Sequence, residues 1–338
     1  MSITIIFGGQ FGSEGKGKTA HYFAAKEQAK YCVRVGGTNS GHTVYRDSQK
    51  FIFRILPTGI IEKHVSAILP AGAYIDLLIL KEEIKASGLS DDRLLIDENA
   101  VIISESNVLT ESESGLQQSI GSTNSGTGAA VIDRILRRGD GILAKNCKEL
   151  RKYIVDTKSI MRDACNKQKK IIIEGTQGYG LSLLHSKDYP YVTSRDTSAA
   201  GFLSETGLSP LDVENVVMVI RAFPIRVSGN SGPLPNEIDW DIIRQEAGRQ
   251  EDMTEYTACT ERIRRVARFD AEIVKRSIEC NQPNIIVLNH LDYFANYKTQ
   301  SITLVNSIQE KIGGHIDYVG IDTYSLIEVT KINSEVIL

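Results

Sequence analysis

Apolar residues fall mainly into short unbroken runs separated by stretches of helical spacing. Ile3-Thr4-Ile5-Ile6-Phe7, Tyr31-Cys32-Val33-Arg34-Val35, Leu94-Leu95-Ile96, Ile171-Ile172-Ile173, residues 216–220 and residues 285–288 are such runs, and 51–55 and 66–69 are further strand candidates. A run apolar at nearly every position suits a strand buried on both faces. Between the runs, Ala20, Phe23 and Ala24 take the spacing of a helix face, residues 77–86 read as a helix stopping near Gly88, and 129–138, 241–247 and 266–279 read as further helices. Leu143, Cys147, Leu150, Ile154 and Met161 place apolar groups along one helical face. From Ile302 onward the chain alternates short strand-like runs with polar turns, and there is no internal repeat. Strands alternating with helices predict an α/β fold with a mainly parallel central sheet covered by helices.

Ligands of such sheets sit at the carboxyl ends of the strands. Three runs here end in polar or glycine-rich loops, at Gly8, Gly36 and Glu174, which predicts one cleft. The first loop is Gly8-Gly9-Gln10-Phe11-Gly12-Ser13-Glu14-Gly15-Lys16-Gly17-Lys18-Thr19, set between a strand and a helix. Glycines let the backbone approach an anion, helix N-terminal N–H groups point at it, and lysine adds charge. Gly12 to Thr19 fits the phosphate-loop spacing G-x-x-x-x-G-K-[ST]. An ordinary turn needs neither five glycines nor two lysines. Residues 104–128 are rich in Ser, Thr, Asn and Gly, and two readings stand there: a flexible linker, or an ordered anion-binding loop at 120–128.

Composition narrows the class. The 338 residues carry a net charge of -3, 41% hydrophobic and 24% charged residues, which fits a soluble globular protein and not one that coats nucleic acid or an anionic membrane. Length alone allows two domains, but the pattern is read as one elaborated catalytic domain spanning 1–338. The five cysteines, Cys32, Cys147, Cys165, Cys259 and Cys280, lack C-x-x-C spacing, and their odd number fits a reducing compartment. With no basic, apolar leader and no membrane-length apolar run, the expected location is the cytoplasm.

Taken in order, Gly12-Ser13-Glu14-Gly15-Lys16-Gly17-Lys18, Gly36-Gly37-Thr38-Asn39-Ser40-Gly41-His42-Thr43, Ile120-Gly121-Ser122-Thr123, Arg137-Arg138-Gly139, Glu174-Gly175-Thr176-Gln177-Gly178 and Tyr189-Pro190-Tyr191-Val192-Thr193-Ser194 resemble adenylosuccinate synthetase from residue 1 to about 292. The resemblance implies a two-step reaction. A nucleoside triphosphate phosphorylates O6 of a 6-oxopurine nucleotide, and the amino group of L-aspartate then displaces phosphate from C6. It implies that Gly12, Gly15, Lys16, Gly17, Gly41, His42 and Thr43 bind the donor phosphates, with His42 acting on the phosphoryl group and the developing O6 charge. Mg²⁺ is implied as cofactor, held at Gly41 through its carbonyl and at the position of Ser13. Asn39, Ser122, Thr123, Gln177 and Thr193 match groups around the acceptor nucleotide, Gln177 lying near the purine. Arg137 matches an arginine reaching the nucleotide of the other subunit, which implies a homodimer; it also reads as a solvated charge at a helix end. Thr257-Ala258-Cys259-Thr260-Glu261-Arg262-Ile263-Arg264-Arg265 resembles the aspartate-binding segment, with Thr260, Arg262 and Arg264 as the contacts, since guanidinium groups take carboxylates in bidentate fashion. Asn289-His290-Leu291-Asp292 resembles the loop that reads the donor base through Asn289 and Asp292, with His290 in place of the usual lysine.

One departure matters most. The family motif has aspartate at the position of Ser13, where it takes the purine N1 proton and ligates magnesium. A serine hydroxyl without an activating partner is a poor base. Either the chain is an inactive relative or its substrate has changed, and the other motifs favour a changed substrate. A short neutral residue beside N1 leaves room for the 2-amino group of guanine. The serine form resembles the phage-type branch of the family, which joins dGMP to aspartate, uses ATP or dATP, and makes N6-succino-2-amino-2′-deoxyadenylate for 2-aminoadenine DNA. The expected substrates are therefore dGMP, L-aspartate and ATP or dATP. The alternatives are a conventional synthetase using IMP and GTP, and a nucleotide-binding protein without ligase activity.

Overall fold

The computed structural model describes residues 1–137, 139, 142–257, 262–294 and 297–330. A ten-stranded sheet runs through it. Numbered along the chain, its strands are β1 (Ile3–Gly8), β2 (Tyr31–Arg34), β3 (Ser66–Leu69), β4 (Leu94–Asp97), β5 (Ile154–Val155), β6 (Ile171–Glu174), β7 (Val213–Arg221), β8 (Ile285–Asn289), β9 (Tyr318–Val319) and β10 (Ile327–Glu328). Their order across the sheet is β10-β9-β8-β7-β1-β6-β2-β3-β4-β5, and every neighbouring pair is parallel except β9 with β10. The mainly parallel α/β fold is the one the apolar runs predict.

Alternate side chains of the central strands feed opposite faces of the sheet. Ile3, Ile5 and Phe7 join Ile171, Ile173, Met218 and Ile220 in the larger core. Ile6, Ile172, Val217 and Val219 face the other way and pack with Ala20, Phe23 and Ala24 of the Lys16–Lys26 helix. β8, β7, β1, β6 and β2 are consecutive parallel strands, so the loops at their carboxyl ends share one edge.

Several local expectations are corrected. The spacing through 143–161 is broken into the 3₁₀ turns Ala144–Asn146 and Lys148–Tyr153, edge strand β5, and the helix Thr157–Asn166. Pairing of Ile154 with Ile96 on β4 and capping of the new helix by Asp156, which accepts from Ser159 N, outweigh the periodicity. The expected helix at 266–279 begins only at Ala271, capped by Asp270; Arg265–Ala267 is instead a strand of a small antiparallel sheet with Ile225–Arg226 and Glu237–Ile238. The expected short strands of the tail are present only beyond Ile312, as β9 and β10. From Ile302 the chain instead continues the helix Tyr297–Ile312, and Val305, Ile308 and Ile312 form its buried stripe.

Residues 49–53 pair with His42–Arg46 in a separate hairpin, so His42 opens a strand. The Ser-rich segment holds the helices Glu105–Glu113, whose N-terminus carries a Ser104/Asn107 capping box, and Leu116–Ile120. The next helix, Thr127–Leu136, starts two residues earlier than its apolar pattern. Among the described residues no helix is long and apolar enough to cross a membrane.

Candidate active site

The exit loops of β1, β2, β6 and β8 surround a cleft of about 560 Å³. Gly12, Ser13, Gly15, Lys16, Gly17, Asn39, Gly41, His42, Thr43, Thr123, Gln177 and Arg264 line it together. Thr38, Arg54, Asp76, Thr257 and His290 are also on its polar wall. Lysine and arginine outnumber carboxylate on this wall, as an anionic ligand requires.

The phosphate loop is held open by its own backbone. Gly12 and Gly15 take φ values of 97° and 89°, and Ser13 takes 57°. A side chain at Gly15 would lie 2.7 Å from Asn289 Nδ2, so the loop needs glycine there for space as well as for conformation. Glu14 turns inward and is fully buried: Gly12 N (2.8 Å), Gln10 N (3.2 Å) and Lys16 Nζ (2.6 Å) all donate to it. It shapes the loop and is not offered to a ligand. Asn289 ties the loop from behind, donating through Nδ2 to Glu14 O (2.9 Å).

His42 is the centre of a buried charge group. Its Nδ1 lies 2.5 Å from Glu174 Oε1, and Arg34 Nη1 packs against the same nitrogen while donating to that oxygen at 2.9 Å. Thr58 donates to Glu174 Oε2 through its amide (2.7 Å) and hydroxyl (2.9 Å). Burial opposes a charge on Glu174, but the His42 hydrogen bond and Arg34 outweigh it and hold the carboxyl below its usual range. Burial first, then Arg34, lower the His42 imidazole to about 3. The ring is therefore neutral at pH 7. A proton on Nδ1 satisfies Glu174, which leaves a lone pair on Nε2. Among the described residues Nε2 has no partner, and Gln177 Oε1 is in the same state. Thr38 Oγ1, Asn124 Oδ1 and His290 Nε2 on the same wall are also without partners among the described residues, so the cleft holds several polar atoms that a ligand or water can satisfy.

On the acceptor side, Gln177 Nε2 donates to Asn39 Oδ1 (2.7 Å) and Asn39 Nδ2 to Thr193 Oγ1 (3.4 Å), so the three form a chain. Ser122 accepts from Asn124 N (3.2 Å) just behind the wall. Arg137 is exposed at the end of its helix and away from this cleft. In the aspartate-like segment, Arg264 faces the cleft, Arg262 is exposed, and Thr260 lies outside the described residues. Asn289 faces the phosphate loop, not open space. Asp292 is half-buried; burial raises its carboxyl above the usual range, against the pull of Lys18. Burial in turn lowers Lys18 to about 8, against the pull of Asp292 and Asp322.

The oxygen donors offered beside the phosphate loop suit magnesium, a hard cation that keeps waters and phosphate oxygens in its shell and takes few protein ligands. Ser13 and the Gly41 backbone line the cleft together, and among the described residues no cluster of three or more His, Cys, Asp or Glu offers a competing transition-metal site. Ser13 and the Gly41 carbonyl would therefore suit a magnesium ion, which would supply charge neutralisation beside the phosphate loop.

Sequence reading missed Arg34, Glu174 as a charge partner, Arg221 and Glu255. The signal was present for two of them: an arginine inside or closing an otherwise apolar run is expensive unless it has a buried partner. Arg34 closes β2 and Arg221 closes β7.

The adenylosuccinate synthetase family model matches residues 5–143 and 140–335. The adenylosuccinate synthetase of Methanococcus aeolicus is 35% identical over 327 residues, covering 93% of this chain and 94% of that protein. That of Methanococcus vannielii is 38% identical, covering 87% and 85%. Among solved structures, the cyanophage S-2L succinoaminodeoxyadenylate synthetase bound to dGMP and dATP as an energy donor superposes with a TM-score of 0.83 at 27% identity, covering 99% of both chains. The fully ligated Plasmodium falciparum adenylosuccinate synthetase shares the fold, with a TM-score of 0.85 at 21% identity over 97% of this chain and 99% of that one. With the phosphate loop, the buried His42–Glu174 pair and these matches together, the chain belongs to the adenylosuccinate synthetase family, carbon–nitrogen ligases that use aspartate.

Proposed function

We propose that this ligase joins L-aspartate to C6 of dGMP, with ATP or dATP as phosphoryl donor, and forms N6-succino-2-amino-2′-deoxyadenylate. One observation carries the reading: position 13, on the cleft wall with Gly12 and Gln177, holds a neutral serine. Of the described residues on that wall, the one carboxylate is Asp76, and it caps its own helix by accepting from Leu78 N and Ile79 N. Glu14 is enclosed by three donors and does not substitute for the missing aspartate. A wall without a carboxylate beside the purine edge suits a base that carries a 2-amino group. The likeness to the cyanophage enzyme bound to dGMP and dATP supports both nucleotides.

Chemically, the loop amides and Lys16 hold the donor phosphates. Mg²⁺, when bound near Ser13 and Gly41, supplies charge neutralisation for the triphosphate. His42 Nε2 accepts a hydrogen bond or proton from an N–H of the reacting partners, the purine N1 or the aspartate nitrogen as it displaces phosphate, while Glu174 fixes its ring. Gln177 and Asn39 orient the purine, and Thr123 and Thr193 the nucleotide phosphate. Arg264, with Thr260 and Arg262, takes the carboxylates of aspartate. Asn289 and Asp292 stand at the donor-base end. Ile132, Ile135 and Leu136 are exposed on the helix that Arg137 closes, an apolar face that supports a homodimer in which Arg137 reaches the partner's nucleotide.

The test is steady-state phosphate release with aspartate and either dGMP, GMP or IMP, each with ATP, dATP and GTP. Turnover of dGMP above IMP is expected, and use of IMP with no use of dGMP refutes the reading. The 35–38% identity to conventional synthetases favours IMP with GTP as the second reading. Ser13→Asp should move relative efficiency toward IMP by about tenfold or more, the scale set when a buried polar contact is matched or mismatched.

A further inference from the structure

Arg221 and Glu255 are not among the residues that line the cleft, yet they join two parts of its wall. Arg221 is wholly buried. Its Nη1 donates to Ser13 O (3.1 Å) and Glu255 Oε2 (3.3 Å), and its Nη2 to Glu255 Oε1 (2.6 Å) and Tyr293 Oη (2.7 Å). Gln10 grips its backbone from both sides, accepting from Arg221 N (2.9 Å) and donating to Arg221 O (3.2 Å). Glu255 Oε2 also accepts from Arg264 Nη1 (2.7 Å), and Arg264 N donates to Glu255 O (2.9 Å). These two residues pair next to the antiparallel Tyr256–Ile263 bridge. Burial opposes the charge on Glu255, but Arg221 first among its neighbours outweighs it and holds the carboxyl at about 2.

We infer that Glu255 is the positioning residue for the aspartate-binding arginine, and that Arg221 locks this pair to the phosphate loop at Ser13. The inference rests on Arg264 contacting aspartate. Two guanidinium groups share one carboxylate. Without Glu255 the two cations repel each other, and Arg264 loses the bond that fixes its plane at the cleft wall. Bidentate recognition of a carboxylate depends on that plane. Because Arg221 also holds the Ser13 carbonyl, the amino-acid side of the cleft and the purine-facing loop share one rigid link. Tyr293 and Gln10 over-determine that link, so it is set before any ligand arrives.

The test is a double-mutant cycle on the KM for aspartate, with Glu255→Gln, Arg264→Gln and the combined variant. It uses the full chain, Mg²⁺, a saturating donor and whichever acceptor the wild type turns over, so a wrong acceptor assignment does not affect it. Glu255→Gln keeps the shape and removes the charge. It should raise KM for aspartate about tenfold or more, the scale of a lost charge-assisted hydrogen bond, with KM for both nucleotides within about twofold. The combined variant should resemble Arg264→Gln alone, because Glu255 acts through Arg264. Arg221→Lys keeps charge but not the fork and should raise the aspartate KM as well, together with the acceptor KM because the Ser13 carbonyl loses its donor, which covers the case in which Glu255→Gln does not fold. An unchanged aspartate KM in folded Glu255→Gln or Arg221→Lys overturns the inference, as does full additivity in the cycle. If Arg264→Gln itself leaves the aspartate KM unchanged, the aspartate role of Arg264 fails and the inference falls with it.

Discussion

Glu174→Gln removes a negative charge from a place that solvent does not reach. The carboxylate takes Arg34 Nη1 and His42 Nδ1 on one oxygen and the Thr58 amide and hydroxyl on the other. Glutamine keeps one acceptor oxygen and replaces the other with an amide that only donates. With its oxygen toward Thr58, the amide meets the Arg34 and His42 donors. The imidazole must then move its proton to Nε2, and the cleft loses its lone pair. A hydrogen bond to a charged group is worth about 1.5–3 kcal/mol, which corresponds to roughly a 10- to 150-fold fall in kcat. The assay is initial phosphate release at saturating substrates, with thermal unfolding measured in parallel. Arg34 loses its buried counter-charge, so stability should fall too, by up to about 3–5 kcal/mol, and rates are compared only where circular dichroism shows a folded chain. His42→Asn supplies the reference: the double variant should be slower than His42→Asn by less than about threefold, because the two groups act as a unit. A folded Glu174→Gln enzyme with kcat within about threefold of wild type, or a loss that adds in full to His42→Asn, refutes the reasoning.

Acid should destabilise the fold in a defined window. Burial, with Arg34 beside His42 and Arg221 beside His290, lowers both imidazoles from 6.5 to about 3. Between those values the unfolded chain binds more protons, so stability is full above about 6.5 and is lost as pH falls toward 3. Urea unfolding at pH 7 and pH 5 should show lower stability at pH 5, with a smaller difference in His42→Asn; equal stability at both would contradict the assignment. Gly320→Ala probes the donor end. An added Cβ would lie 2.0 Å from Asn289 Oδ1 and 2.3 Å from Lys18 Nζ, so Asn289 is pushed off the phosphate loop. Overpacking of this kind costs about 1–3 kcal/mol. Donor KM should rise more than acceptor KM in a titration of each, and a change confined to the acceptor would be inconsistent with this placement.

The unbroken apolar runs of β1, β6 and β7 exposed the parallel sheet in sequence, because only strands buried on both faces have that composition. Their exit loops exposed the cleft, since glycine and lysine at a strand-to-helix junction have few other uses. The run at 143–161 misled for an equally physical reason. A period of three to four fits a helix, but edge pairing with β4 depends on a partner some 60 residues away, which no local pattern encodes. Only the first stretch of the tail was misread, in reverse, its helical stripe of Val305, Ile308 and Ile312 hidden among β-branched residues that also favour strands.

By itself, then, the sequence determined the α/β class, the phosphate loop and the serine at position 13, because these depend on local spacing and residue chemistry. The tertiary structure alone decided that Glu14 is enclosed, that Glu174 is the partner of His42, and that Arg221 joins Ser13 to Glu255. Those pairings span up to 208 residues of chain and exist only where parallel strands bring their carboxyl ends together. Charge at such distances is set by burial and neighbours, and both are properties of the folded chain.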